Sequence, residues 1–286
     1  MFRALVIYFD KKNKTKILTE YSSELLSLQK EMARYNIDLQ WDFVEEISKY
    51  ENDLDSNLYI TDSAEIFEGL KNKGNYVIAL THRYNRDTVY KNASYLIEGL
   101  EGLDYKYLNR VYQRFVGLPW DILETKNLKV RESTVEDVDE FYRIYKEPSI
   151  TYYMDDLFKE PDMERAYIRN YTRYAYEFYG FGLWTVLLKE SGQVIGRAGL
   201  NVRDGYKLPE LGFVIDVAYQ GKGYAKEVCQ AILFYAWEEL ELERVQALVH
   251  ASNAASLALL KKLGFSYCKE IEENEKNYQL WIVRKQ

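Results

Sequence analysis

The sequence of 286 residues is poor in residues that bind metals or form disulfides. It has two cysteines and two histidines, and Cys229 and Cys268 lack the spacing of metal ligands or of a redox pair. A histidine-rich metal site is therefore excluded, and we expect no metal cofactor. Such sparse use of cysteine fits a reduced, cytoplasmic protein without disulfides.

Long apolar runs and clusters of basic residues are also missing. No apolar stretch reaches the roughly 18 residues that a membrane-spanning helix needs, and residues 1–8 resemble a first β-strand more than a signal peptide. We therefore expect no membrane association. The net charge is −7, and no block of Lys and Arg indicates a polyanion-binding surface. Nucleic acid is accordingly a poor candidate for the main partner.

Aromatic residues, in contrast, are abundant, with 27 Tyr, 12 Phe and 5 Trp. Amphipathic packing accounts for many of them, and an aromatic-lined substrate cleft is the alternative use. Exposed aromatic residues would also suit a homodimer.

Residues 1–127 alternate between strand-like and helix-like segments. Strands are expected at 3–9, 57–62 and 76–80, and helices at 21–35, 64–73 and 104–115. These units predict a small α/β domain with a parallel sheet in three layers. Asp10, Asp62 and Thr81 end strands, where α/β sheets place ligand sites, yet no paired-aspartate motif or glycine-rich phosphate loop accompanies them. We predict a noncatalytic module.

Residues 128–286 follow a different order, which begins after Pro119 ends the preceding helix. Strands are expected at 128–132, 182–190, 193–202, 209–216 and 244–250 and twice more at the end, and helices at about 134–146, 161–177, 222–240 and 253–263. Residues 133–136 resemble a capping box for the first helix. The order predicts an α+β domain with a mixed, mostly antiparallel sheet and one strand–helix–strand unit.

The most informative segment is 210–225, where a strand runs into a glycine-containing turn and then a long helix. Backbone N–H groups at a helix N-terminus bind phosphate, and Gly221 and Gly223 permit close approach of the backbone to a ligand. A dinucleotide-binding fingerprint needs glycine where Lys226 stands. A P-loop needs Lys and then Ser or Thr after the second glycine, and Tyr224 and Ala225 stand there instead.

What remains, Gln220-x-x-Gly223-x-Ala225, resembles the Q/R-x-x-G-x-G/A signature of the GNAT acetyltransferase superfamily. Residues 253–265, which close with Leu-Gly-Phe, resemble the second helix of that family on the coenzyme A side. Residues 193–200 resemble the strand before the central one. The likeness runs from residue 128 to the end and is nearest to the RimJ/RimL-type branch.

The resemblance implies an N-acetyltransferase that uses acetyl-CoA as its donor. It implies that backbone amides of Gly221, Gly223, Tyr224 and Ala225 bind the pyrophosphate, with Gln220 and Lys222 in the same turn. It further implies that Val214, Ile215 and Val217 offer backbone groups to the pantetheine arm, and that Asn253 lies near the pantetheine or its thiol end.

For catalysis, the resemblance implies direct attack by an amine, without an acyl-enzyme. Glu210 is a candidate base through water, or a plain ion-pair partner; His250 is a candidate base, or a hydrogen-bonded residue at a strand end. Many relatives carry a tyrosine acid where Leu260 stands, so Ser256, a water or unassisted departure of the thiolate takes that role.

The acceptor is expected to be a primary amine, either a small molecule or a peptide N-terminus. The candidate acceptor-side residues are Tyr153, Asp155, Tyr179 and Trp184, for which a solvated acidic loop and ordinary core packing are the alternatives. Two other functions stay open. One is an acyl-CoA sensor without turnover, and the other is a bifunctional enzyme with a separate small-molecule site in residues 1–127.

Overall fold

The computed structural model describes residues 2–45, 56–154, 156–273 and 276–285. The chain forms two compact units, residues 1–118 and residues 119–286. Among the described residues, none of the helices is both long and apolar enough to cross a membrane.

The first unit is built on a five-stranded sheet with every neighbouring pair parallel. Its strands are β1 (Ala4–Asp10), β2 (Asp38–Val44), β3 (Asn57–Thr61), β4 (Tyr76–Thr81) and β5 (Leu96–Glu98), and its helices are α1 (Lys14–Glu20), α2 (Ser22–Arg34), α3 (Ala64–Asn72) and α4 (Tyr105–Phe115). The strand order is β2-β1-β3-β4-β5. The predicted parallel α/β architecture is confirmed.

Apolar side chains on both faces of this sheet make it the middle of three layers. Along β1, Leu5 and Ile7 pack with residues of α2 and α4, whereas Val6 and Tyr8 pack on the opposite face with residues of α3. This alternation follows from the two-residue repeat of a strand.

Polar groups at the carboxyl ends of β1, β3 and β4 bond mainly to one another. The carboxylate of Asp62 is bonded through Oδ2 to Nε2 of His82 at 2.9 Å and accepts the backbone N–H of Asp10 through Oδ1 at 2.6 Å. Asp62 and His82 are both buried. These hydrogen bonds link the carboxyl ends of the three strands.

The second unit is built on an eight-stranded sheet of order β12-β13-β11-β10-β9-β8-β7-β6. Its strands are β6 (Asp121–Glu124), β7 (Leu128–Arg131), β8 (Leu183–Leu188), β9 (Val194–Asn201), β10 (Glu210–Ile215), β11 (Arg244–His250), β12 (Ser266–Glu273) and β13 (Lys276–Arg284), and its helices are α5 (Val138–Tyr145), α6 (Pro148–Thr151), α7 (Pro161–Tyr171), α8 (Tyr224–Glu238) and α9 (Ala254–Lys262). Only β10 and β11 pair in parallel. The predicted mixed, mostly antiparallel sheet is confirmed.

Helices cover both faces of this sheet. The apolar side of α8, with Val228 and Ile232, belongs to the larger core together with Leu260 of α9. On the other face, Phe141 of α5 and Ile168 of α7 form a separate core. The long helix that follows the glycine turn is thereby fixed against the middle of the sheet.

Three local features differ from the sequence-based expectation. Strand β6, which was not predicted and lies before the expected boundary at residue 128, pairs with β7 in the second sheet. The helix expected at 161–177 ends as α7 at Tyr171 and continues as a π-helical segment, Thr172–Glu177. The capping box lies one residue later than the predicted 133–136, because the N-cap is Thr134 and the carboxylate that accepts its N–H is Asp137.

Close backbone packing in the second sheet requires a glycine at position 199. A Cβ there would lie 1.9 Å from the carbonyl oxygen of Gly182, whereas a Cβ at the cross-strand neighbour Gly212 would meet the flexible tip of Leu183 at 3.1 Å. The first contact is with rigid backbone and the second with a movable methyl group.

We therefore expect Gly199→Ala to lower the free energy of unfolding by about 1–3 kcal/mol or more, the usual cost of overpacking. Gly212→Ala, the matched control, should change it by less than about 1 kcal/mol. Urea unfolding of both variants provides the measurement. Equal losses would show that the crowding at residue 199 is relieved by a small backbone shift.

Candidate active site

The two parallel strands of the second sheet separate almost as soon as they meet. In the described residues, the single register pair between β10 and β11 joins Glu210 to Gln246, and the backbone N–H of Gln246 bonds to the carbonyl of Pro209 at 2.9 Å. From there β10 runs on to Ile215 and β11 to His250 without further pairing to each other. The opening exposes backbone groups of β10 to which an extended ligand can bond like an added strand.

A turn of unusual backbone conformation follows β10. Gly221 and Gly223 have φ of +73° and +87°, a region that favours glycine, and Gly223 is the N-cap of α8. Residues 221–223 are exposed, and a Cβ at either glycine would meet no atom within 4 Å. The backbone on this side of the turn therefore faces open space.

The amides of this turn are available to a ligand. The first backbone bond of α8 is from the N–H of Glu227 to the carbonyl of Gly223, at 3.0 Å. Within the described parts of the chain, the N–H groups of residues 221–226 have no protein acceptor. Free amides at the N-terminus of a 15-residue helix form an anion site of the kind that holds a diphosphate.

Side chains on each side of the turn hold its shape. Asp216 accepts the N–H of Ala218 at 2.9 Å, and its other oxygen is paired with Arg143 of α5. The Gln220 amide donates to the carbonyl of Ile215 at 2.8 Å. The predicted Gln220 thus bonds to the turn itself, and any effect it has on a ligand acts through the shape of the backbone.

The other predicted cofactor residues of this segment lie along the opening and the turn, and their roles toward a ligand stay predictions. Val214 and Ile215 are buried on opposite faces of the sheet, so it is their backbone that borders the opening. Val217 is exposed in the 3₁₀ turn. The Lys222 ammonium lies 4.9 Å from the centre of the Tyr219 ring, at the rim of the turn.

At the apex of the strand opening, Glu210 belongs to a charged network that sequence reasoning missed. Arg203 Nε lies 2.9 Å from Glu210 Oε2, and Arg203 Nη1 lies 3.5 Å from Glu273. Tyr206 donates to Glu273 at 2.7 Å. Burial raises the pKa of the Glu210 carboxyl above its ordinary value, and the ion pair with Arg203 offsets only part of this shift. The sequence feature that could have indicated this network is the position of Arg203 in the hairpin between β9 and β10.

A cavity of about 850 Å³ adjoins Glu210. It is lined by Tyr167, Tyr171 and Tyr174 of α7 and its π-helical continuation, by Arg203, Asp204 and Glu273, and by Asn170, Asn201 and Val202. The space is of the size that small-molecule sites have, and it combines aromatic walls with carboxylates.

Comparisons with known proteins identify the family of the chain. A family model described as "Acetyltransferase (GNAT) domain" matches residues 127–266. The protein named "Uncharacterized N-acetyltransferase YnaD", from Bacillus subtilis, is 30% identical over 143 residues, which are 50% of this chain and 81% of YnaD. The protein named "Uncharacterized N-acetyltransferase p20", from Bacillus licheniformis, is 29% identical over 147 residues, 51% of this chain and 82% of p20. The chain belongs to the GNAT acetyltransferase family.

Solved structures share the GNAT fold of the second unit. A GNAT-family acetyltransferase from Bordetella pertussis superposes with a TM-score of 0.50 at 24% identity, covering 57% of this chain and 99% of its own. RimL, a ribosomal L7/L12 α-N-protein acetyltransferase, superposes with a TM-score of 0.51 at 12% identity, covering 59% and 96%. At these identities the likeness concerns the fold.

The second helix of the GNAT signature places its residues in structural roles. Asn253 caps α9, because its Oδ1 accepts the N–H of Ser256 at 3.1 Å, which leaves its amide N–H₂ as a donor. Leu260, where many relatives carry a tyrosine, is fully buried in the larger core. The roles of Asn253 and Ser256 toward a ligand stay predictions.

Two residues that we singled out separately prove to be neighbours. The ring of His250, at the end of β11, lies 5.6 Å from the ring of Tyr153, and its Nδ1 lies 2.8 Å from the hydroxyl of Ser252. Because β11 rises about 3.3 Å per residue, His250 lies about 13 Å beyond Gln246, the partner of Glu210. The two candidate bases are therefore too far apart to act on the same proton.

The predicted acceptor side needs revision. Trp184 has no exposed surface and packs edge-on against Tyr235 in the core, so it does not line a cleft. Tyr179 lies beside the cavity wall, with its ring 5.7 Å from that of Tyr174. Asp155 lies outside the described residues. The tyrosines of α7 were missed because the amphipathic pattern of that segment indicated only a helix with one buried side.

We expect Gly223→Glu to abolish acetyl-CoA binding for two reasons. The new carboxylate lies beside the amides that bind the diphosphate and repels it, and the backbone at residue 223 has a left-handed conformation that glutamate adopts only with strain. Gly264→Glu is the matched control: its φ is +85°, a Cβ there also meets nothing within 4 Å, and it follows the far end of α9. Isothermal titration with acetyl-CoA should show binding for the control alone. Similar affinities for both variants would contradict the assigned diphosphate site.

Proposed function

We propose that this protein transfers the acetyl group of acetyl-CoA to a primary amine by direct attack. The proposal rests on two adjoining sets of unpaired backbone groups, those along the strand opening and the free amides of residues 221–226. Glu210 and a cavity lie at the apex of the opening. A thioester carrier fits both sets, because its diphosphate suits the amides and its extended arm suits the opening.

On the donor side, the turn binds the diphosphate and the strand opening takes the pantetheine arm. The amides contribute without a moving side chain, and Lys222 adds positive charge at the rim. The backbone of Val214 and Ile215 guides the arm toward the apex, and the amide of Asn253, which follows the far end of β11, donates a hydrogen bond to the arm.

On the acceptor side, the amine enters the cavity beside Glu210. The amine must be neutral to attack, and Glu210 takes its proton through a water molecule. The nitrogen then forms a bond to the thioester carbon, the carbon–sulfur bond breaks, and the proton that the new amide nitrogen gives up passes to the departing thiolate, directly or through water. A base with a raised pKa is better matched to work near neutral pH than an ordinary carboxylate.

An acyl-enzyme on Cys229 would be the alternative to direct attack. Cys229 lies on α8 and is fully buried in the larger core, and burial raises the pKa of its thiol. A buried, protonated thiol is a poor nucleophile. Direct attack by the amine is therefore the mechanism that the residues favour.

The amine acceptor is to be identified by release of free thiol from acetyl-CoA with a panel of small amines and of peptides with free α-amines. Release with at least one acceptor supports the proposal. Binding of acetyl-CoA without release on any acceptor would instead favour the acyl-CoA sensor. The first unit, whose buried Asp62 and His82 bond to each other, is proposed to be noncatalytic.

We expect Glu210→Gln to lower kcat by about 10²–10⁴-fold, the usual contribution of a general base, with little change in the Kd for acetyl-CoA. The base acts when ionised, so the wild-type rate should fall as pH drops through the pKa of Glu210, which burial raises above 4.5. The variant should lose this acid limb.

Arg203→Met provides the companion test, because the Arg203 guanidinium holds the pKa of Glu210 down. Removing the guanidinium should move the acid limb of kcat/KM to higher pH. Identical pH profiles in wild type, Glu210→Gln and Arg203→Met would remove Glu210 as the base.

A further inference from the structure

The first turn of α8 contains a carboxylate that bonds away from the turn. Glu227 Oε1 accepts the hydroxyl of Thr125 at 2.6 Å and the backbone N–H of Asn127 at 2.8 Å, and its Oε2 accepts the Asn127 side-chain amide at 2.8 Å. Both carboxylate oxygens are thus engaged by residues 100 or more positions away in the sequence.

The location of this carboxylate is unfavourable for an anion site unless it has a specific task. Glu227 directly follows residues 224–226, whose amides face the proposed diphosphate, and an extra negative charge there repels such a ligand. Burial works to raise the pKa of Glu227, but the hydrogen bonds from Thr125 and Asn127 outweigh it, so the pKa lies below its ordinary value. The group is therefore ionised at neutral pH.

The partner segment is itself firmly held. The turn between β6 and β7 closes through the N–H of Thr125 to the carbonyl of Leu128 at 2.8 Å, and the carbonyl of Asn127 accepts the N–H of Lys189 at 2.9 Å. In the sheet, β9 and β8 lie between β10 and this hairpin. Glu227 therefore ties the start of α8 to a fixed point at the far edge of the sheet.

We propose that Glu227 is a positioning residue for the diphosphate site. Its three hydrogen bonds to the turn at 125–127 fix the direction of the first turn of α8, so that the amides of residues 224–226 converge on one anion. The inference rests on the proposed binding of acetyl-CoA, and it assigns to Glu227 an effect on the diphosphate end alone.

A positioning role predicts that Glu227→Gln changes the affinity for coenzyme A in the direction opposite to the one expected from the charge of Glu227 alone. If Glu227 acted only through its charge, Glu227→Gln would strengthen coenzyme A binding, because it removes an anion near the diphosphate. If it acts by positioning, the variant should weaken binding, because its amide N–H₂ faces the N–H₂ of Asn127 and one charge-assisted bond is lost. We expect a rise in the Kd for coenzyme A of about tenfold, equivalent to about 1.4 kcal/mol.

A second variant restores the geometry without restoring the charge at residue 227. In the double variant Glu227→Gln with Asn127→Asp, the new amide donates to the new carboxylate, and the contacts to Thr125 and to the backbone N–H persist. We expect the Kd to return to within about threefold of wild type. Asn127→Asp alone, which sets two carboxylates against each other, should bind at least as weakly as Glu227→Gln.

The readout that separates positioning from general damage is the substrate acetyl-pantetheine, which lacks the diphosphate. Glu227→Gln should leave kcat/KM for acetyl-pantetheine unchanged while raising KM for acetyl-CoA at constant kcat. Glu238→Gln is the matched control at the other end of α8, where Glu238 pairs with Lys285 at 3.1 Å; its coenzyme A affinity should equal that of wild type.

The wild-type chain of 286 residues is titrated with coenzyme A first, so that the proposed donor site and the positioning role of Glu227 can fail separately. No binding by wild type would overturn the proposed donor site. Binding by wild type with equal or tighter binding by Glu227→Gln, no rescue in the double variant, or parallel losses with acetyl-pantetheine would each overturn the positioning role alone.

Discussion

The separation of β10 from β11 after one register pair is the constraint on which the functional face of the second unit depends. A parallel pair that continued to Ile215 and His250 would satisfy its own backbone groups and leave nothing for a ligand. Pairing stops at Glu210 and Gln246, so the backbone groups of β10 beyond Glu210 stay unpaired on the side of β11. These groups and the start of α8 border the same opening.

Leaving amides open at that end requires that the turn be held by other groups. Asp216 and Gln220 bond to backbone beside the turn, Glu227 bonds to Thr125 and Asn127, and none of the three accepts an N–H of residues 221–226. The polar side chains thus replace the hydrogen bonds that would otherwise order the segment, while the ligand-facing amides stay unsatisfied. A site prepared in this way loses little conformational entropy when its ligand binds.

The sequence indicated the turn at residues 221–223 but not the cavity beside Glu210, for a physical reason. The glycines at 221 and 223 specify a local backbone conformation, which a short motif can encode. Glu227 and Asn127 lie 100 residues apart, and nothing in the local pattern of either indicates the other. Strand β2 was missed for a related cause: it is an edge strand with exposed polar residues, so its pattern lacks the apolar run of the inner strands.

The tyrosines of the cavity wall were not predicted, because residues 161–177 were expected to form one continuous α-helix. In the segment Thr172–Glu177 the chain is π-helical, so backbone hydrogen bonds join residues five apart instead of four and the side chains turn to different directions than in an α-helix. Tyr171 and Tyr176 can therefore both bond to the backbone of Leu183, over Gly182, where any Cβ would clash with their rings. An α-helical segment would direct one of these hydroxyls elsewhere. With both tyrosines fixed, Tyr174 is left exposed at the cavity, and the aromatic wall of the cavity follows from the change of helical period.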